Sequence, residues 1–177
     1  MKRVWQVVAL WVCLVISAGA EEWHPLQITK SVFSPEIGLL DSEREDYANQ
    51  LATYAANVVG PDNAVPPEME QARKALALAL QLSPRNKQAV VLNFQLAKGI
   101  FPKASGDVKS GREALAKLLF ARAELLKKQG GEENLKLSRY FAQLAAEMEP
   151  KNVDYVYASE LNRIELGELD WNVLMNP

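Results

Sequence analysis

The chain has 177 residues, of which 49% are hydrophobic and 24% charged, with a formal net charge of −2. That length supports one domain whose core needs neither disulfides nor metals, and the mildly acidic total gives no encouragement to nucleic-acid binding. With His24 the one histidine, a multi-histidine metal site is excluded by counting, and the one cysteine is Cys13.

The first segment reads as an address. Lys2 and Arg3 precede an apolar run from Val4 to Ile16, followed by the small residues Ser17-Ala18-Gly19-Ala20 and the charged pair Glu21-Glu22. These are the charged, apolar and small-residue regions of a secretory signal peptide, with cleavage expected after Ala20. The apolar run is shorter than the ~20 residues that span a bilayer, which excludes a membrane anchor after cleavage. Cys13 follows Val12 rather than a small residue, and the apolar run continues past it, so a lipidated cysteine is disfavoured. Removing the segment leaves 18 basic against 22 acidic side chains. The localisation expected is therefore periplasmic or secreted, and an exported chain free of cysteine fits a bacterial envelope. Three parts follow: a signal peptide at 1–20, an irregular arm at 21–40 and a helical domain at 41–177.

The arm contains Pro25 and Pro35 and shows no sustained period; Trp23, Val32, Phe33 and Leu39 are its candidate packing residues. From Asp41 the period is helical. Ser42-x-x-Glu45 matches a capping box opening a first helix that runs to Val59, where Gly60-Pro61 stop it, with Tyr47, Leu51, Tyr54, Ala55 and Val58 inward. After the turn PDNAVPP, Pro66-Pro67 begin a second helix whose stripe is Ala72, Ala75, Leu76, Ala79 and Leu80. Pro84 breaks it. A third helix from about Asn86 to Lys98 is apolar on most of its surface, which predicts that neighbours enclose it. The loop from Gly99 to Ser110 leads to a fourth helix from Gly111 to Gln129, ended by Gly130-Gly131. A fifth spans Glu132 to Glu149 with Leu137, Phe141, Leu144, Ala145 and Met148 on one face. A sixth runs from Val153 to Leu166 with Val156, Tyr157, Leu161 and Ile164 inward, and a short seventh lies near Leu169 to Met175. No segment reads as a strand.

One phrase occurs twice. ARKALALALQLSPRN, from Ala72 to Asn86, aligns without gaps to SRYFAQLAAEMEPKN, from Ser138 to Asn152. Arg73/Arg139, Leu78/Leu144, Ala79/Ala145, Pro84/Pro150 and Asn86/Asn152 are identical, at an offset of 66 residues. That offset is close to twice the ~34-residue period of a helix-turn-helix repeat. Proline halts the first helix of each copy, and asparagine is placed to cap the next. At these residues the sequence resembles the tetratricopeptide repeat family, whose second-helix pattern is met by Ala72, Leu76, Ala79 and Pro84. Ser138, Ala145 and Pro150 fit it in the second copy, where Ala142 stands at the bulky position. The aromatic, Leu-Gly and Tyr positions of the family's first helix are largely missing. The resemblance implies an all-α fold, with antiparallel helical hairpins stacked as a short α-solenoid.

Catalytic arrangements fare poorly. A Ser-His-Asp triad would have to use His24, in the arm. Ser105, Lys109 and Ser110 share the long loop, but nothing in their spacing singles out a serine-lysine pair, and the Gly-Lys-Ser order of a phosphate loop is absent. The acidic pairs Glu43/Asp46, Glu132/Glu133 and Glu147/Glu149 read as solvated helix ends. No catalytic, cofactor or metal residue is expected, and no cofactor. Charge is uneven: ten basic against five acidic residues from Lys98 to Arg139, but seven acidic against one basic from Asp41 to Glu70, and seven against two from Glu147 to Asp170.

The resemblance implies a non-enzymatic protein-interaction module that binds another protein or peptide. Family geometry places Gln88, Gln95, Lys98, Asp154 and Tyr157 in a concave groove, with Lys103 nearby. Two alternatives remain open: a self-associating structural protein of the envelope that uses the charge asymmetry and the apolar C-terminal face, and the N-terminal helical part of a longer enzyme, which the exposed-looking Trp171, Leu174 and Met175 suggest.

Overall fold

The computed structural model describes residues 23–60 and 66–176. The signal-peptide reading and most of the PDNAVPP turn lie outside them. The described residues are all-helical, without a strand: α1 (Asp41–Val58), α2 (Pro66–Leu82), α3 (Lys87–Ala97), α4 (Val108–Gln129), α5 (Glu132–Met148), α6 (Val153–Leu166) and α7 (Asn172–Met175). None of these helices is long and apolar enough to cross a membrane.

Local chemistry sets most boundaries. Asn86 caps α3 by accepting from the Ala89 amide at 2.9 Å. Asn152 caps α6 by accepting from Asp154 and Tyr155 at 3.1 and 3.3 Å. Both are the role that the repeated Pro-x-Asn turn predicts. Gly99, at φ +68°, ends α3: its amide donates to the Leu96 carbonyl and that of Ile100 to Gln95, the paired bonds that a left-handed residue makes possible.

Two starts differ from the expectation. In α1 it is Glu43, not Glu45, that reaches back, its carboxylate accepting from the Leu40 amide at 2.8 Å. Glu45 is engaged instead with Ser83 at 2.6 Å and Asn86 at 2.7 Å, tying α1 to the α2–α3 turn. Helix α4 begins at Val108 rather than Gly111, because the Asp107 carboxylate accepts from the amides of Lys109 and Ser110.

Helices α1, α2, α4 and α5 form the centre, each antiparallel to its neighbours. Tyr54 meets Gln71 and Glu45 meets Ser83 across α1–α2. Glu43 meets Arg122 and Asn57 meets Ser105 between α1 and the α4 side. Gln71 and Lys74 of α2 meet Glu147 of α5. Helix α3 packs on α1 and α2, α6 on α5, and α7 on α2. Thus α1 lies against α4 and α2 against α5, so like elements of the two repeat copies meet antiparallel, the relation a two-fold axis produces. Stacking by successive displacement would instead set α3 against α4.

The core includes Leu51, Leu76, Leu78, Leu119, Leu144, Tyr140 and Phe141, all essentially fully buried. Each such side chain stabilises the fold by roughly 1.5–3 kcal/mol relative to exposure. Every residue of α2 from Ala75 to Leu82 is buried, so the enclosed helix is α2. The expectation for α3 is corrected: Val90, Val91 and Phe94 are exposed, because α3 sits at the rim with neighbours on one side.

Helix α6 is corrected in the same sense. Tyr157 and Ile164 are exposed, while Tyr155 turns inward to stack on Phe120 at 4.5 Å between ring centroids.

The arm is laid over the helices rather than free of them. Trp23, Leu26, Ile28, Phe33, Ile37 and Leu39 are buried. Asn93 of α3 holds its start, accepting from Trp23 Nε1 and the Leu26 amide and donating to the Leu26 carbonyl. Further on, Ser34 donates to Glu133 and Gly38 to Asn134, at the start of α5.

Asp46 and Glu132 are exposed as expected of solvated helix ends, but three other members of the acidic pairs differ. Glu43 binds Arg122 at 2.9 Å, Glu147 binds Lys74 at 2.9 Å, and Glu149 binds Arg112 at 3.0 Å. They are ties between helices.

Candidate functional site

The clearest concave feature is a groove of about 500 Å³ between α1 and α3, closed at one end by the loop after α3. One wall is α1, which presents Glu45, Asn49, Ala52 and Ala56, successive positions on one helical face. The other is α3, which presents Lys87, Gln88, Val91, Leu92 and Gln95, with Pro102 beyond. Small residues on α1 allow the channel to form: the side chains of Ala52 and Ala56 leave open the space that larger ones would fill.

Asn86 anchors one end by donating through Nδ2 to Glu45 at 2.7 Å and Asn49 at 2.8 Å. Midway, Gln88 donates to Thr53 Oγ1 at 2.7 Å, bridging the two helices from the exposed side. Gln95 is half-buried deeper along the groove. The lining therefore combines apolar carbon from Ala52, Val91, Leu92 and Pro102 with the amides of Asn49, Gln88 and Gln95, and carries a carboxylate (Glu45) and an ammonium (Lys87) at the end that Asn86 anchors.

Of the six residues expected to touch a partner, the structure brings Gln88 and Gln95 together in this groove. Lys98 stands outside it, at the end of α3, with its ammonium 5.8 Å from the Phe94 ring centroid. Lys103 is exposed in the following loop, and Asp154 and Tyr157 are exposed on α6, which packs on α5 and not on α3. The sequence reading missed the α1 wall. Its only signal there is the spacing of Asn49, Ala52 and Ala56 beside, rather than within, the stripe of larger apolar residues.

The groups with displaced pKa values stand away from the groove. Burial pushes the Tyr54 hydroxyl well above its ordinary range, and it donates to Gln71 Oε1 at 2.9 Å. Burial works against the charge of Lys74, but its hydrogen bond to Glu147 and the charges of Glu147 and Glu70 outweigh this and raise its pKa. Both groups serve the α1–α2–α5 packing. His24 is exposed, with its carbonyl accepting from Arg73. Among the described residues, no group of three His, Cys, Asp or Glu is gathered closely enough to hold a metal ion. Lys109 pairs with Glu113 at 3.8 Å on the exposed first turns of α4.

No protein-family model, curated protein or solved structure matches the chain.

Proposed function

We propose that the protein is an exported, non-enzymatic helical-repeat module that holds a short peptide segment of another protein in the groove between α1 and α3. The observation that carries this is the lining of that groove: an apolar floor flanked by Asn49, Gln88 and Gln95. A peptide backbone offers a donor and an acceptor at each residue, and the side-chain amides have capacity for both beyond the bonds that Asn49 makes with Asn86 and Gln88 with Thr53. The volume also lies within the range of roughly 300–1,000 Å³ typical of ligand sites.

The tetratricopeptide-like reading rests on the repeated Pro-x-Asn turns and on the pairs α2–α3 and α5–α6 that they join. On this reading the hairpins α2–α3 and α5–α6 are two copies of the family's helix-turn-helix unit. Export to the bacterial envelope rests on the signal-peptide pattern ending at Ala20.

A photo-crosslinking residue at Gln95 in the producing cell tests the site, with Lys128 on exposed α4 as control. The expected result is an adduct with one protein at Gln95 alone, mapped to a short segment whose synthetic peptide competes it away. Equal labelling at both positions, or no competition, removes the groove from consideration.

A further inference from the structure

The two rim helices carry uncovered apolar faces of opposite charge. On α3, Val90, Val91 and Phe94 are exposed beside Lys87 and Lys98. No aspartate or glutamate occurs between Gln71 and Gly106, a stretch with six basic residues. On α6, Val153, Tyr157 and Ile164 are exposed at 78%, 66% and 72%. Steps of four and eleven residues return to within about 40° on a helix of 3.6 residues per turn, so these three form one stripe. Asp154, Glu160 and Glu165 are exposed around it. The sole basic residue of α6, Arg163, is paired with Glu160 at 2.7 Å.

The internal alignment makes α3 and α6 equivalent helices of the two copies, with Val91 corresponding to Tyr157 and Lys98 to Ile164. Equivalent faces of opposite sign form a complementary pair on one chain. Apposing α3 with α3 would bring Lys87 and Lys98 against their own copies, and α6 with α6 would do the same for Asp154 and Glu160; both arrangements repel.

We propose that a second copy of this chain covers these faces, with α3 of one molecule docking on α6 of the next. The apolar stripes supply the buried area, and the flanking charges set direction and register. Such a contact is heterologous: it leaves one α6 face and one α3 face unused at the two ends of the pair, so association continues into a chain or closes as a ring. This face shares Lys87 and Val91 with the groove, so the substitutions that test it fall on Phe94 and Ile164, which line no part of the groove.

Light scattering on the purified protein, from low micromolar to near-millimolar concentration, tests it with the exposed substitutions Phe94→Asp and Ile164→Lys. Circular dichroism establishes that each variant keeps its helices. The wild type is expected to exceed dimer mass as concentration rises, and to do so less at high salt, which screens exposed charge. Each variant alone weakens association by about tenfold or more, since one face is spoiled. Mixing the two restores a one-to-one heterodimer and nothing larger, because each supplies the face the other lacks and keeps one spoiled face. A wild type that stays monomeric throughout, a variant that dimerises as well as the wild type, or a mixture that does not assemble overturns the proposal.

Discussion

Two residue-scale contacts decide how the ends of the described chain are held. Gln81 is fully buried in α2. Its Oε1 accepts from the Val32 amide of the arm at 2.8 Å, and its Nε2 donates to the Leu174 carbonyl of α7 at 2.8 Å. One side chain thus satisfies two backbone groups from opposite ends of the sequence. Gln81→Leu keeps the volume but leaves both groups without partners, at about 1–3 kcal/mol each. Thermal unfolding should show a loss of about 2–4 kcal/mol; stability equal to the wild type would mean that solvent serves both groups. The second contact is pH-sensitive. The Ser34 hydroxyl and amide donate to the Glu133 carboxylate at 2.5 and 3.0 Å and hold its pKa below the ordinary 4.5. A carboxyl depressed in the folded state contributes stability above its unfolded pKa and loses it as pH falls through the folded value. The stability difference between wild type and Glu133→Gln should therefore be full near neutrality and shrink as pH falls from the ordinary carboxylate range downward. A difference that stays constant with pH would show that the charge of Glu133 contributes nothing.

At the scale of the element, what was legible followed from chemistry local to the chain. Proline stops, asparagine caps and glycine ends depend on neighbours in sequence, and so the number of helices and most of their limits agree with the pattern. The orientation of α6 and the burial of α3 depend on which elements lie alongside, and no period encodes that. Helix α2 alternates alanine and leucine, and the small residues let α1, α3, α5 and α7 all approach it, so it is enclosed despite reading as merely amphipathic. Helix α3 reads as enclosed because of Val90, Val91 and Phe94, which face outward at the rim. In α6, tyrosines two residues apart offered two solutions, and the Phe120 ring, many residues away, selects Tyr155. The candidate groove was half legible for the same reason: Gln88 and Gln95 follow from position on α3, whereas Asn49, Ala52 and Ala56 enter only through the packing of α1 on α3. Alanine at each tyrosine separates inside from outside. Tyr155→Ala should cost about 2 kcal/mol through the lost ring contact and the cavity left behind, while Tyr157→Ala should stay within about 0.5 kcal/mol, as an exposed site does. Equal costs in chemical denaturation would place both rings in the same environment and reverse the orientation given to α6.

For the whole molecule, the arrangement of like helices bears on cooperativity. Two three-helix halves joined only by a linker would unfold separately, as repeat arrays do once their interfaces weaken. Here the halves are joined by packing and by polar ties: Arg122 of α4 to Glu43 of α1, Lys74 of α2 to Glu147 of α5, and the ring pair Tyr47–Phe141 at 5.2 Å. The chain ends cross the boundary as well. The arm begins on α3 at Asn93 and reaches α5 at Glu133. Helix α7 leaves α6 to pack on α2, placing Trp171 against Tyr140 at 4.9 Å and under the Lys74 ammonium at 5.5 Å. Separating the halves would therefore expose core, arm and C-terminal helix together, which predicts a single transition. Trp23 and Trp171 stand at the two ends of this network, and beyond them the only tryptophans are Trp5 and Trp11. Denaturant titrations of Trp23→Phe and Trp171→Phe, each followed by fluorescence and by helical circular dichroism, should give coincident curves within each variant. A Trp171 signal that changes before the helical signal would show that α7 and its half release first, and that the contacts between like helices do not make the molecule one cooperative unit.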